Sequence, residues 1–367
     1  MSGRRGKGED PRRHRERRTR PETKISRWSF GAVFVVNSLM PDRLTLDAAV
    51  KILRRGGLVA FPTETVYGLG ANALDPAAVQ RIFTAKGRPA TNPVIVHIAA
   101  VDQASQVVAD WPDTAARLAE RFWPGPLTLV LPKAAGIPGI VTAGAPTVGV
   151  RVPAHPVALA LLRAANMPLA APSANRSTEV SPTTADHVLN SLYGQIDLVL
   201  DGGPTTGGIE STVLDVTTDP PRLLRPGLVT PAMIEAVIGT IQYALVADTP
   251  DSPARSPGMM AKHYAPRAAL ELADEDGRGR VWELLGGGRR VGWLTWPGVA
   301  DMPFALRITM PADATAYAAK LYAALHELDA TGVDHIVVAR PPDGEDWLAI
   351  RDRLLRAAAR GESSAQQ

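Results

Sequence analysis

Two cations stand one glycine apart in Lys86-Gly87-Arg88-Pro89, with Asn92 close behind, between a helix-like stretch and a strand-like run that reaches His97. An arginine fork and a lysine point charge at that spacing can converge on one phosphate chain. A solvated helix end, where cations are favoured in any case, accounts for the same residues. Ser173-Ala174-Asn175, after the run Leu169 to Ala171, offers a hydroxyl and an amide at alternate positions. They suit phosphate or ribose, or simply a turn. Thr147 opens and Arg151 closes the apolar run Val148 to Val150. An arginine there pairs with a structural carboxylate or clamps a substrate's.

Phe61 to Gly70 adds hydroxyls, a carboxylate and two glycines after a buried strand, which makes a small-molecule rim or a capped turn. Gly202-Gly203-Pro204-Thr205 and Gly207-Gly208-Ile209-Glu210-Ser211-Thr212 form a glycine-rich loop that lets backbone approach a ligand, or else a flexible hairpin. His97 is a ligand contact or a buried structural imidazole. The usual nucleotide fingerprints are missing: there is no G-x-x-x-x-G-K-[ST], and Gly68-Leu69-Gly70 continues as Ala71-Asn72-Ala73. Any ATP site must be of another type. The seven histidines form neither H-x-x-x-H nor H-E-x-x-H, and there is no cysteine, so zinc, a thiolate nucleophile and disulfides are not expected.

These segments sit at the ends of apolar elements. Leu44, Ala48, Ile52 and Leu53 recur at helical spacing before Gly56-Gly57, and Asp75-Pro76 opens a helix carrying Val79, Ile82 and Phe83. Further helices are expected over Asp113 to Phe122, Pro156 to Ala165, Thr184 to Leu192 and Pro231 to Ile238. Strands are expected over Leu58 to Phe61, Pro93 to Ile98, Leu127 to Leu131, Val148 to Val152 and Leu169 to Ala171, then Ile196 to Leu200, Thr212 to Val216 and Arg222 to Leu224. This alternation predicts an α/β domain with a mixed sheet. Thr249 to Gly258, rich in proline and serine, is a linker. Beyond it, Val291 to Trp296 and His335 to Ala339 read as strands, and Asp313 to Leu328 and Glu345 to Ala359 as helices.

The 367 residues favour two domains. Apolar residues at 45% and charged residues at 21% exclude a mostly disordered chain. The net charge of +3 is misleading, because residues 1 to 20 carry nine Lys/Arg against three acids and the remainder sums to −3. The body is no polybasic platform, and the tail is either a disordered arm or a nucleic-acid contact. Trp28 to Val36 is too short to span a bilayer and lacks a convincing cleavage site, so a cytoplasmic protein is expected; a true start near Met40 is a further reading.

Taken in order, P-T-E-T-V-Y-G-L-G at 62 to 70, K-G-R-P at 86 to 89, N-P-V-I-V-H-I at 92 to 98, P-G-P-L-T at 124 to 128, V-G-V-R-V-P at 148 to 153, P-S-A-N at 172 to 175 and G-I-E-S-T-V at 208 to 213 closely resemble the YrdC-like threonylcarbamoyl-AMP synthase family. Ser256 to Pro266 is similar to the junction of its longer, two-domain form. The resemblance implies a YrdC-like α/β domain with a twisted mixed sheet and flanking helices, linked to a smaller Rossmann-like α/β domain. The expected division is a basic, disordered tail at 1–43, a catalytic domain at 44–230, a linker or lid at 231–266 and a small C-terminal domain at 267–361.

The implied reaction joins L-threonine, bicarbonate or CO2, and ATP into threonylcarbamoyl-adenylate and pyrophosphate. A separate tRNA threonylcarbamoyl transferase complex would use the product beside the anticodon. By the same resemblance Thr65, His97, Arg151, Ser211 and the backbone of Ala171 fall at threonine-site positions. Arg88, Asn92, Thr147, Ser173, Asn175, Ser181 and Arg225 fall on the ATP side, with Tyr264 closing over the nucleotide. Lys86 and Arg88 are expected to act catalytically by neutralising phosphates, with Mg2+ carried in on ATP. The alternative is a non-catalytic RNA-binding protein that uses Lys86, Arg88, Arg151 and Arg225 beside the basic tail, and a weak RNA contact is also expected of the enzyme. Hydrogenase-maturing carbamoyl-transfer proteins share the domain but carry cysteine-rich zinc fingers, which this chain lacks.

Overall fold

The computed structural model describes residues 24–27, 34–37, 41–243 and 263–359. The cationic stretch to residue 20, residues 28–33 and the linker from Thr249 to Gly258 lie outside them. β1 (Lys24–Arg27) and β2 (Phe34–Asn37) pair antiparallel ahead of α1 (Arg43–Arg54). Within the stretch expected as a disordered tail, the described residues thus include two strands: Phe34-Val35-Val36 runs parallel to a later strand, with Phe34 opposite Leu198 and Asn37 opposite Asp201. The physical reason for this pairing is an open sheet edge, whose unpaired backbone groups β2 satisfies.

Asp42 begins α1 by accepting the Thr45 N–H at 2.8 Å. β3 (Val59–Pro62), β4 (Tyr67–Asn72), α2 (Pro76–Lys86), β5 (Val96–His97) and α3 (Asp113–Phe122) follow. Next come β6 (Leu127–Pro132), β7 (Thr147–Arg151), α4 (Pro156–Ala165), β8 (Leu169–Ala170), α5 (Ala185–Leu192) and β9 (Leu198–Asp201). β10 (Thr212–Asp215), β11 (Arg222–Arg225), α6 (Pro231–Ile238) and β12 (Gln242–Tyr243) complete the first sheet and its helices.

The twelve strands order β1-β2-β9-β3-β4-β8-β5-β7-β6-β10-β11-β12. Parallel contacts such as β5 to β7 mix with antiparallel ones such as β3 to β4. Apolar side chains fill both faces: Ile82, Leu118 and Val188 belong to one cluster, Leu53, Phe61 and Leu161 to the other. The strand expected over Pro93 to Ile98 shrinks to Val96 and His97, because the Val94 N–H turns to Val141 O and the Pro93 carbonyl accepts from Arg88.

The second domain contains β13 (Ala269–Ala273), α7 (Arg278–Gly286), β14 (Val291–Thr295), β15 (Ala305–Thr309), α8 (Ala314–Ala330), β16 (His335–Ala339) and α9 (Leu348–Ala358). Its four strands are all parallel in the order β13-β16-β14-β15, which requires crossover connections. Leu321, Ile336 and Leu354 form its core together with Val66, Val180 and Ile209 of the first domain. The two domains thus share one apolar cluster. Among the described residues no helix is long and apolar enough to cross a membrane.

Candidate active site

The turn between β3 and β4 is tied by Thr63, whose hydroxyl accepts the Thr65 and Val66 N–H groups at 3.2 Å each. That turn presents Thr65 to the end of β7, where Arg151 Nη1 donates to Thr65 Oγ1 at 3.0 Å. Arg151 also donates Nε to Gly125 O at 3.1 Å and Nη2 to Glu64 Oε1 at 2.6 Å. The structural carboxylate is therefore present. Of the five guanidinium N–H groups, one on each terminal nitrogen is still uncommitted.

At the end of α2, Gly87 takes φ +60, a left-handed turn that glycine adopts without strain. Lys86 and Arg88 consequently both turn inward. Lys86 Nζ donates to Ser173 O at 2.6 Å, to Asn175 O and to Asn175 Oδ1 at 3.4 Å, so its three donors are spent. Burial and the neighbouring Arg88 charge pull its pKa well below the ordinary lysine value. Lys86 is thus held by carbonyls of the Ser173 segment and does not line the pocket described next. Arg88 donates Nε to Asn92 O at 3.0 Å, and Nη2 to Asn92 Oδ1 and Pro93 O at 2.7 Å each. Its Nη1 has no hydrogen bond among the described residues.

A pocket opens between these elements. Thr65, His97, Arg151, Ala171 and Ser211 line it, as do Arg88, Ser173, Arg225 and Tyr264. Five expected contacts do not. Besides Lys86, Asn92 buttresses Arg88, and Asn175 donates Nδ2 to Glu179 O at 2.8 Å. Ser181 donates to Glu210 Oε1 at 2.5 Å. Thr147 borders a separate cavity beside Ile95 and Val130.

Arg225 links its side chain to Ser211, donating Nε to the carbonyl at 3.1 Å and Nη2 to Oγ at 3.2 Å. Lys86, Arg88, Arg151 and Arg225 are only 3%, 7%, 3% and 4% exposed. A groove for an RNA backbone needs cations at the surface, so this burial disfavours the RNA-binding reading. Two titratable lining residues were given no role in the sequence reading: Glu210, visible as a carboxylate inside G-I-E-S-T-V, and His263 beside Tyr264.

The pocket's electrostatics follow from burial. His97 is pushed down to about 3 by burial and then by the Arg151 charge, so its imidazole is neutral at physiological pH. Burial likewise takes His263 to about 3 and Arg88 to about 10. Burial alone would raise Glu210, but the Arg353 and Arg225 charges hold it at about 2. Nδ1 of His263 is buried without a hydrogen-bond partner among the described residues, while the His97 imidazole approaches the Ile95 backbone and the Tyr264 hydroxyl approaches Arg225. A polar atom buried without a partner is costly unless something else satisfies it. Tyr264 also has φ +62, an uncommon conformation for a bulky residue and one that concentrates at functional sites. Glu210 at the pocket and Glu64 against Arg151 are both taken by arginines, and among the described residues no cluster of three His, Asp or Glu could hold a metal.

Two family models match the chain: one described as "Telomere recombination" (Sua5, YciO and YrdC) over residues 51–227, and one described as "Threonylcarbamoyl-AMP synthase, C-terminal domain" over 229–359. The threonylcarbamoyl-AMP synthase of Bacillus subtilis is 45% identical over 91% of this chain and 98% of its own length. That of Pyrococcus abyssi is 46% identical over 84% and 93%. A crystal structure of Pyrococcus abyssi Sua5 complexed with L-threonine superposes with a TM-score of 0.80 at 44% identity, covering 86% of this chain and 95% of that one.

Proposed function

The chain belongs to the threonylcarbamoyl-AMP synthase family, and on that premise we propose how its first-domain pocket performs the reaction. It is an L-threonylcarbamoyladenylate synthase, making threonylcarbamoyl-AMP and pyrophosphate from L-threonine, bicarbonate or CO2, and ATP. The unprotonated threonine nitrogen adds to CO2 and its proton passes to solvent. A carbamate oxygen then attacks the α-phosphorus while the bond to the β-phosphate breaks and pyrophosphate leaves. No bond to the enzyme forms, so the work is positioning and charge stabilisation.

Thr65, His97, Arg151, Ser211 and the Ala171 backbone serve the threonine half. The uncommitted N–H on each Arg151 terminal nitrogen suits a carboxylate fork, and the neutral His97 imidazole lining the pocket suits the substrate hydroxyl. An amino acid lacking that hydroxyl would leave a buried polar atom unmatched, which favours threonine. Arg88, Ser173, Arg225 and Tyr264 serve the nucleotide half, with Lys86, Asn92, Asn175 and Ser181 fixing their positions. Thr147 joins them only if ATP extends toward the neighbouring cavity. Mg2+ enters as part of the substrate, held by ATP phosphates, since Glu64 and Glu210 are both held by arginines. Tyr264 closes the site, protecting carbamate and anhydride from water.

The observation that carries this reading is the pocket where Arg88, with Nη1 open, and Arg151 meet a buried, neutral imidazole. The product passes to a separate tRNA threonylcarbamoyl transferase complex, and the absence of cysteine supports a cytoplasmic setting. Incubation with ATP, Mg2+, bicarbonate and labelled threonine tests the proposal. Pyrophosphate and a labelled adenylate in equal amounts are expected; pyrophosphate release indifferent to threonine would refute it.

A further inference from the structure

One buried guanidinium from the second domain grips the first domain on both sides of the hairpin that carries Ser211 and Arg225. Arg353 of α9 is 1% exposed and Glu210 6% exposed, and Arg353 Nε meets Glu210 Oε2 at 2.7 Å. Its Nη2 donates to Pro226 O at 2.9 Å. Glu210 immediately precedes Ser211, and Pro226 immediately follows Arg225. The remaining terminal nitrogen, Nη1, is held at 2.6 Å by Asp352, which also accepts from Arg356 Nε at 3.0 Å. Arg353 is therefore fixed from behind by its own helix.

Glu210 passes that anchorage on. Its other oxygen accepts the Ser181 hydroxyl at 2.5 Å, and Tyr322 of α8 donates to Oε2 at 3.1 Å. The Arg353 guanidinium also lies 5.2 Å from the Tyr264 ring centroid, within cation–π range. Two segments of the pocket, the Ser211–Arg225 hairpin and Tyr264, and the Ser181 segment behind them thus share one charged centre supplied by the other domain.

We infer that Arg353 is a positioning residue for the adenylation site: through Glu210 and Pro226 it fixes Ser211, Arg225 and Ser181, so that the second domain completes the pocket of the first. This rests on that pocket being where adenylation occurs. A fork is needed, because a lysine would supply one point charge and could not hold the carboxylate and the carbonyl in fixed geometry.

The test is steady-state kinetics on the full chain for wild type, Arg353→Lys, Arg353→Met and Arg353→Met/Glu210→Gln, with thermal melting of each. Arg353→Met should lower kcat/KM for ATP on the order of 10²-fold, the scale of a small misplacement, with KM for ATP rising. The double variant removes the stranded carboxylate and should recover about tenfold of that loss, since neutral replacement of both partners is far better tolerated than removal of one. Arg353→Lys should melt near wild type yet turn over at least about tenfold more slowly. Should Arg353→Met fail to fold, the lysine variant decides. Full activity in Arg353→Lys, or a loss in Arg353→Met that matches the double variant and tracks melting alone, would overturn the inference. An inactive wild type would instead condemn the reading of the pocket itself.

Discussion

A guanidinium offers five N–H donors and an ammonium three, and the number each protein environment consumes decides what is left for substrate. Lys86 has given all three to the Ser173 and Asn175 segment, whereas Arg88 keeps Nη1 open, which in the proposed reaction serves a phosphate. Arg88→Ala should therefore cut threonine-dependent pyrophosphate release by about 10²–10³-fold, the usual loss when one preorganised donor to developing charge is removed. Near-normal release in a stopped assay would deny it the phosphate. Lys86→Met should act on folding, because it strands buried carbonyls at about 1–3 kcal/mol each; a fall in the urea midpoint reads this. An unchanged midpoint would show that the carbonyls find other partners. K-G-R was legible in the sequence as a cation pair, but its division of labour was not. The carbonyls that absorb Lys86 lie 87 and 89 residues further along the chain.

Among the elements, local signals fixed what local forces fix. α3, α4, α6 and β16 span the residues that their spacing and flanking prolines predict. β4 was hidden because Gly68 and Gly70 interrupt any alternation, and its pairing with β3 and β8 comes from the sheet, not from its own composition. α7 begins after Gly277 with no side-chain cap, and β15 is a partly exposed edge, so neither announces itself. Contacts between domains were equally silent in the sequence. Gly208, read there as part of a flexible loop, has φ +72, and a Cβ on it would stand 2.3 Å from Ala318 O and 2.6 Å from Ala319 Cα in α8. Helix backbone cannot yield locally, so Gly208→Ala should force the domains apart. A cost of about 1–3 kcal/mol is expected from overpacking, with added strain from the left-handed backbone. A lower melting temperature together with a larger radius of gyration in small-angle scattering is the expected result; unchanged values for both would mean that the contact is loose.

At the scale of the whole molecule, the same interface contains a pair of imidazoles that only the tertiary structure brings together. His187 of α5 stacks on His326 of α8 with ring centroids 3.8 Å apart. Thr183 Oγ1 lies 3.2 Å from His187 Nδ1, and His326 Nε2 lies 3.1 Å from Ser181 O, so this contact adjoins the segment that holds Glu210. Glu179, Asp329 and Arg267 are the other charges that act on His326. Burial, followed by the charge of its neighbour, pushes His187 down to about 4, and burial lowers His326. Both folded values lie below the ordinary histidine value, so the unfolded chain binds protons first as the solution is acidified. The neutral pair's contribution is therefore complete above about pH 6.5 and is lost as pH falls toward 4. Acidification from pH 7 to 5 should lower the melting temperature of the wild type more than that of His187→Gln/His326→Gln, in which no stacked cations can form. Parallel pH dependence of the two proteins would show that the acid sensitivity of the domain contact arises elsewhere.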